Sequence, residues 1–152
     1  MLFRSSPSAI TRLLELGVPA YLIRATLIGV LAQRLVRTLC PDCKSAVGLS
    51  PESWRSLRIG EAVAMPKQVY VAGGCLECRQ TGYRGRSGVY ELMLLDTALQ
   101  TAVAENPDLT NLRQLAMAAG MRPLRQAGAA KVVAGLTTIE EILALTPDPR
   151  ER

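Results

Sequence analysis

Cys40-Pro-Asp-Cys43 and Cys75-Leu-Glu-Cys78 are two matched pairs of soft ligands, separated by the 31 residues Lys44–Gly74. A Cys-x-x-Cys turn brings two sulfurs within reach of one ion, and two such turns can wrap a tetrahedral Zn²⁺. No other cysteine and no histidine occurs in the chain. A catalytic zinc keeps an open position and recruits His or a carboxylate, so the expectation here is a closed, structural Zn²⁺ on Cys40, Cys43, Cys75 and Cys78. Two disulfides would suit an exported chain, but the start, MLFRSSPSAITRLL, has no long apolar stretch of a signal peptide. A single redox Cys-x-x-Cys would leave the second pair unexplained. An iron–sulfur cluster on the same thiolates stays open by ligand type.

The rest of the chain must position these four sulfurs. Its 152 residues are 49% hydrophobic but only 4% aromatic, so the core is one of Leu, Val, Ile, Ala and Met. The formal charge is +5, and four thiolates with one Zn²⁺ would lower it by two. That excess is too small to argue for nucleic acid by itself. The most apolar stretch, between Arg24 and Arg34, is nine residues long, far short of the roughly 20 needed to cross a bilayer. Free cysteines without an export signal favour a reducing, cytoplasmic setting.

Ser6-Pro7 and Gly17 bracket a short helix through Ile10, Leu13 and Leu14. Pro19 opens an expected longer helix running to about Val36, because Leu22, Ile23, Leu27, Val30, Leu31 and Leu35 follow helical spacing. Ser50-Pro51-Glu52 caps a helix carrying Trp54 and Leu57. Val69–Val71 reads as a strand into the second Cys pair, and Val89–Leu95 as a strand beyond it. Asp96 or Thr97 caps a helix ending near Asn106-Pro107. Three more follow: from Thr110 to Gly120, from Pro123 to Gly135, and from a capping box in Thr137–Glu141 to just before Pro147. Tyr83 and Tyr90 are expected to pack near the metal, Met117 and Met121 in the core. The expected fold class is α+β: predominantly short α-helices with a small β-containing four-cysteine zinc-binding subdomain.

Gln33-Arg34-Leu35-Val36-Arg37 running into CPDC, a second CxxC, TGYRGRSGVYEL directly after it, then GMRPLRQAG and GLTTIEEIL form one ordered series. From about Ser8 to Thr146 it resembles the secretion ATPases of bacterial type II systems and their type IV pilus-assembly relatives. GVYELMLLD and GMRPLRQAG look slightly closer to the secretion branch. The resemblance implies the C-terminal portion of a RecA-like α/β P-loop ATPase domain. It further implies a hexameric motor that is cytoplasmic and peripheral at the inner membrane. Its partners would be neighbouring ATPase subunits and inner-membrane platform proteins, with no nucleic acid and no membrane-spanning segment.

Divided on that basis, residues 1–38 are the helical end of the ATPase core and 39–79 the zinc-binding subdomain. Residues 80–152 are a strand plus a C-terminal helical subdomain. The chain has no G-x-x-x-x-G-K-[ST], and its three lysines, Lys44, Lys67 and Lys131, lie outside any phosphate loop. Phe3-Arg4-Ser5-Ser6 stands where the family's histidine box should fall. ATP and Mg²⁺ therefore belong to the full-length parent, and no turnover is expected from this polypeptide alone.

Arg79, Arg84 and Arg86 lie between Glu77 and Glu91 with no acid among them, beside glycines at 82, 85 and 88. Arg84 and Arg86 are candidates to face a nucleotide phosphate or a neighbouring subunit in the hexamer. The competing reading is a solvated turn whose glycines serve tight geometry. Two other classes stay open for the whole chain: a stand-alone zinc-ribbon nucleic-acid binder, and a non-catalytic regulatory module that docks onto intact motor subunits.

Overall fold

The computed structural model describes residues 5–105 and 107–146. Phe3 and Arg4, where the family's histidine box is expected, lie outside these residues, as do Asn106, at an expected helix end, and Pro147. The chain is a mixture of helices and small sheets arranged in two units. One comprises the residues up to Ala32 with Tyr90–Pro123, the other Gln33–Val89 with the residues from Leu124 onward.

In the first unit, α1 (Ser6–Glu15) starts at the Ser5 cap with Pro7 in its first turn. It stops at Gly17, whose φ of 85° a side chain would oppose. The Ser6 N–H donates to Glu91 Oε1 at 2.5 Å and its hydroxyl to the Glu91 carbonyl at 2.8 Å, so the buried Glu91 holds the helix start. After α2 (Ala20–Thr26) the chain enters β1 (Gly29–Leu39), which pairs with β4 (Tyr83–Leu94). The bonds Leu95 N–H to Ile28 O and Cys40 N–H to Gly82 O make the pairing antiparallel. Asp96 caps α4 (Thr97–Glu105) through the Leu99 N–H, and Asp108 caps α5 (Leu109–Ala118) through the N–H groups of Thr110 and Asn111. Ile10, Ile23, Met93, Leu99, Val103 and Leu112 fill the core of this unit.

The expected helix from Pro19 to Val36 is therefore corrected: it ends at Thr26, and Gly29–Leu39 is strand. Val30, Ala32, Arg34 and Val36 turn inward while Leu31, Gln33, Leu35 and Arg37 turn outward. Leu31 and Leu35 on the outer side give the run apolar residues at helical spacing by coincidence of two faces. Gly29 fits because a Cβ there would stand 2.8 Å from the Met93 carbonyl oxygen.

In the second unit, β2 (Ser45–Gly48) pairs antiparallel with β3 (Gln68–Val71), Ser45 opposite Val71 and Gly48 opposite Gln68. Between them α3 (Pro51–Arg55), capped by the Ser50 hydroxyl, buries Trp54, with Leu57 fully buried just beyond. Two further helices, α6 (Leu124–Val133) and α7 (Ile139–Leu145), pack together where Gly128 leaves room for Ile142. Thr138 caps α7 by accepting from the Glu141 N–H at 3.3 Å. The capping box does not close, because the Glu141 carboxylate turns to Arg37 instead. Met121 is core as expected, while Met117 is 43% and Tyr90 50% exposed. No helix among the described residues is long and apolar enough to cross a membrane.

Candidate metal centre

Each cysteine pair sits where a strand has just ended. β1 delivers Cys40, whose carbonyl accepts the Lys44 N–H at 3.0 Å and so closes the first Cys-x-x-Cys turn. β3 leads through Ala72-Gly73-Gly74 to Cys75 and a 3₁₀ turn, Leu76–Cys78. The chain then turns back through Arg79 and Gln80, both left-handed at φ 53° and 63°, with the Gln80 N–H bonded to the Cys75 carbonyl at 2.8 Å. Two consecutive non-glycine residues in that region cost energy, which the surrounding contacts must supply. Glycine is required on both sides. At Gly73 a Cβ would collide with the Cys43 carbonyl, and at Gly82 (φ 73°) it would stand 2.6 Å from the Ala72 Cβ.

The four Sγ atoms converge within 4.8 Å of one another and can hold one metal ion. Three separations are 3.9 Å (Cys40–Cys75), 3.8 Å (Cys43–Cys78) and 3.7 Å (Cys75–Cys78). A Zn–S bond of about 2.3 Å in a tetrahedron puts sulfurs about 3.8 Å apart, so the donor set fits that ion in number, type and spacing. None of the four cysteines is in a disulfide.

From the protein's own groups alone the sulfurs are unequal. Burial pushes the Cys40 thiol up to about 12 and raises that of Cys43. Burial works against the Cys78 thiolate too. The N–H groups of Cys75 (3.3 Å) and Gly82 (3.1 Å), aimed at its sulfur, outweigh that and bring it down to about 6. One sulfur is thus a ready anion, and a cation must draw the proton from the buried Cys40.

Lys44 clamps the first turn: its Nζ donates to the Gly135 carbonyl at 2.8 Å and lies 4.6 Å from the centre of the Tyr70 ring. Asp42, inside the same turn, approaches the Cys40 sulfur at 3.6 Å and forms an exposed ion pair with Arg84 at 3.5 Å. Neither clamp was evident from sequence spacing. The only hint was a charged residue within the first pair and another just after it. Arg84 therefore borders the metal centre, while Arg86 is solvent-exposed on β4. Tyr83 follows Gly82, whose N–H meets the Cys78 sulfur, and its ring lies under the Arg37 guanidinium at 4.1 Å. Tyr90 belongs to the other unit.

With that geometry in hand, the similarities of the chain become informative. Residues 3–144 match the family described as type II/IV secretion system protein. The chain is 48% identical over 142 residues to the type IV pilus assembly ATPase TfpB of Acinetobacter baylyi, covering 93% of this chain and 24% of that protein. It is 43% identical over 138 residues to the type IV pilus assembly ATPase PilB of Thermus thermophilus, covering 91% of this chain and 16% of that protein. To the type II secretion system protein E of Pseudomonas aeruginosa it is 38% identical over 142 residues, covering 93% of this chain and 28% of that protein. The chain thus spans about a quarter or less of the length of these relatives.

Proposed function

The chain belongs to the type II/IV secretion system protein family, and we propose that it is the zinc-bearing C-terminal part of a hexameric, RecA-like motor ATPase. That motor would work at the cytoplasmic face of the inner membrane, against platform proteins there, to power assembly of type IV pili or of the pseudopilus of type II secretion. The observation that carries this reading is the four-sulfur cluster of Cys40, Cys43, Cys75 and Cys78, built from the motifs by which the chain resembles the family. Its higher identities are to pilus-assembly ATPases, which draws the reading toward that branch rather than toward secretion.

In this reading the ion is structural. Residues 39–79 form a metal-bearing appendage whose thiolates leave no coordination position for substrate. Arg84 and Arg86 face a nucleotide phosphate or a neighbouring subunit in the assembled ring, where an arginine can stabilise transferring charge. ATP and Mg²⁺ are held by parts of the motor that carry the phosphate loop, so this polypeptide alone turns over no ATP. A nucleic-acid role is disfavoured because Trp54, the single tryptophan, is buried and cannot stack on a base.

The test is a chimera in which this chain replaces the matched 142 residues of the Acinetobacter relative. Zinc-dependent ATP turnover by the chimera, with none by this chain alone, is the expected result. Turnover by the purified chain alone, or a zinc-loaded chimera that neither assembles nor turns over ATP, would overturn the reading.

A further inference from the structure

The second metal turn holds a bulky apolar side chain out in solvent. Leu76, inside Cys75-Leu-Glu-Cys78, is 87% exposed, the most of any large apolar residue among those described. Scattered exposed leucines are ordinary on a protein surface. Leu76 differs in being fixed: Cys75 and Cys78 both turn to the metal centre, and Leu76–Cys78 is a 3₁₀ turn. Its backbone has already lost the freedom that docking would otherwise have to remove.

The same β2–β3 ribbon also borders a cleft of about 190 Å³. Val47, Leu49, Val69, Tyr70 and Ile139 give it apolar walls, and Glu140 gives it a charge. Small-molecule pockets run to roughly 300–1,000 Å³, so this cleft takes one aliphatic side chain rather than a nucleotide. The ribbon meets the metal turns where Ser45 opposes Val71, while the cleft takes in Gly48, opposite Gln68. Three residues of strand put about 10 Å between those two ends. Leu76, pinned beyond the metal end, does not line the cleft of its own chain.

The charges match as well. Glu77 and Arg79 flank the leucine, while Lys67, next to Gln68, and Glu140 flank the cleft. All four are exposed, and none joins an ion pair among the described residues. Knob and cleft thus each present one charge of either sign.

We propose that Leu76 of one copy seats in the cleft of Val47, Tyr70 and Ile139 of a second copy, with Arg79 against Glu140. A knob at one end and a hole toward the other make a head-to-tail contact, the kind that closes rings or extends filaments. One leucine with its flanking charges buries far less than the roughly 1,200 Å² of a stable interface. The contact therefore sets the register between metal-bearing appendages already held at high local concentration. For that concentration alone it rests on the function proposed above, because assembly of the motor brings the copies together.

A photo-crosslinking p-benzoylphenylalanine at position 47 of the same chimera tests it, at the 36% exposed rim of the cleft. Isotope-labelled and unlabelled copies are mixed before assembly. The expected result is a crosslink between differently labelled copies, joining position 47 to the peptide that holds Leu76. Leu76→Asp should lower its yield about tenfold or more, and Leu76→Met should keep it. Zinc content should stay unchanged in both, since the ligands are intact. If Leu76→Asp loses zinc, the charge pair decides: Glu140→Lys should lower the yield and Arg79→Glu in the same protein should restore it. Three results would overturn the inference while leaving the proposed function standing. They are an ATP-hydrolysing chimera that crosslinks only within one copy, one whose crosslink survives zinc-loaded Leu76→Asp undiminished, and one that captures nothing. A zinc-loaded chimera with neither assembly nor turnover would remove both.

Discussion

Arg37 on β1 and Glu141 on α7, 104 residues apart, make a two-pronged ion pair: the carboxylate accepts from Arg37 Nε at 2.8 Å, from Nη2, and from the Arg37 backbone N–H at 3.1 Å. The guanidinium lies over Tyr83, whose hydroxyl shares a 3.2 Å hydrogen bond with Thr138 Oγ1, and Thr137 donates to the Arg37 carbonyl at 2.8 Å. The last helix is thus fastened to the hairpin that supplies Cys40.

The hydrogen bond from Arg37 is the main cause that holds the Glu141 carboxyl below its ordinary range. A depressed carboxyl stabilises the fold above its unfolded value of about 4.3, and that contribution fades as pH falls through the folded value. Glu141→Gln should cost about 1 kcal/mol at pH 7, a modest figure because the Arg37 side chain is 54% exposed. Urea unfolding at pH 7 and pH 3 checks this: the gap between native and variant should shrink at pH 3.

Cys→Ser at any of the four positions should abolish stoichiometric metal. Structural zinc supplies folding free energy on the order of 10 kcal/mol, so amides from Cys40 to Gly82 should exchange far faster. The helices α1, α4 and α5 lie in the other unit and should keep their circular dichroism signal. Hydrogen exchange resolved by peptide separates the two outcomes.

Metal loading should strengthen as pH rises. Cys40, held up to about 12, and Cys43 are thiols at neutral pH and must release protons to bind. Each proton released makes apparent affinity climb about tenfold per pH unit. Competition against a chromophoric chelator at pH 6, 7 and 8 measures the slope.

Gly82→Ala should destabilise the chain by about 1–3 kcal/mol. The new Cβ meets Ala72 at 2.6 Å on a backbone at φ 73°, and the Gly82 N–H that bonds the Cys78 sulfur would shift with it. Thermal unfolding with metal present, alongside zinc retention, reports both effects.

The sulfur ligands were readable because two short turns put chemistry at fixed spacing, and spacing survives any fold around it. The caps at Ser50 and Asp96 were readable for the same local reason. β1 was not. Leu31 and Leu35 point away from the core that Val30, Ala32 and Val36 enter, and the sum over two apolar faces mimics a helix period. The destination of the Glu141 carboxylate was equally hidden. A capping box and a long-range ion pair use the same residue types, and only the fold brings Arg37 within reach.

X-ray absorption at the zinc edge, with elemental analysis on the same sample, bears most directly on the metal centre. One zinc per chain in a shell of four sulfurs at about 2.3 Å is the expected result. A chain that lacks metal while keeping its fold, or a shell containing nitrogen or oxygen, would contradict the four-cysteine centre and the architecture built on it.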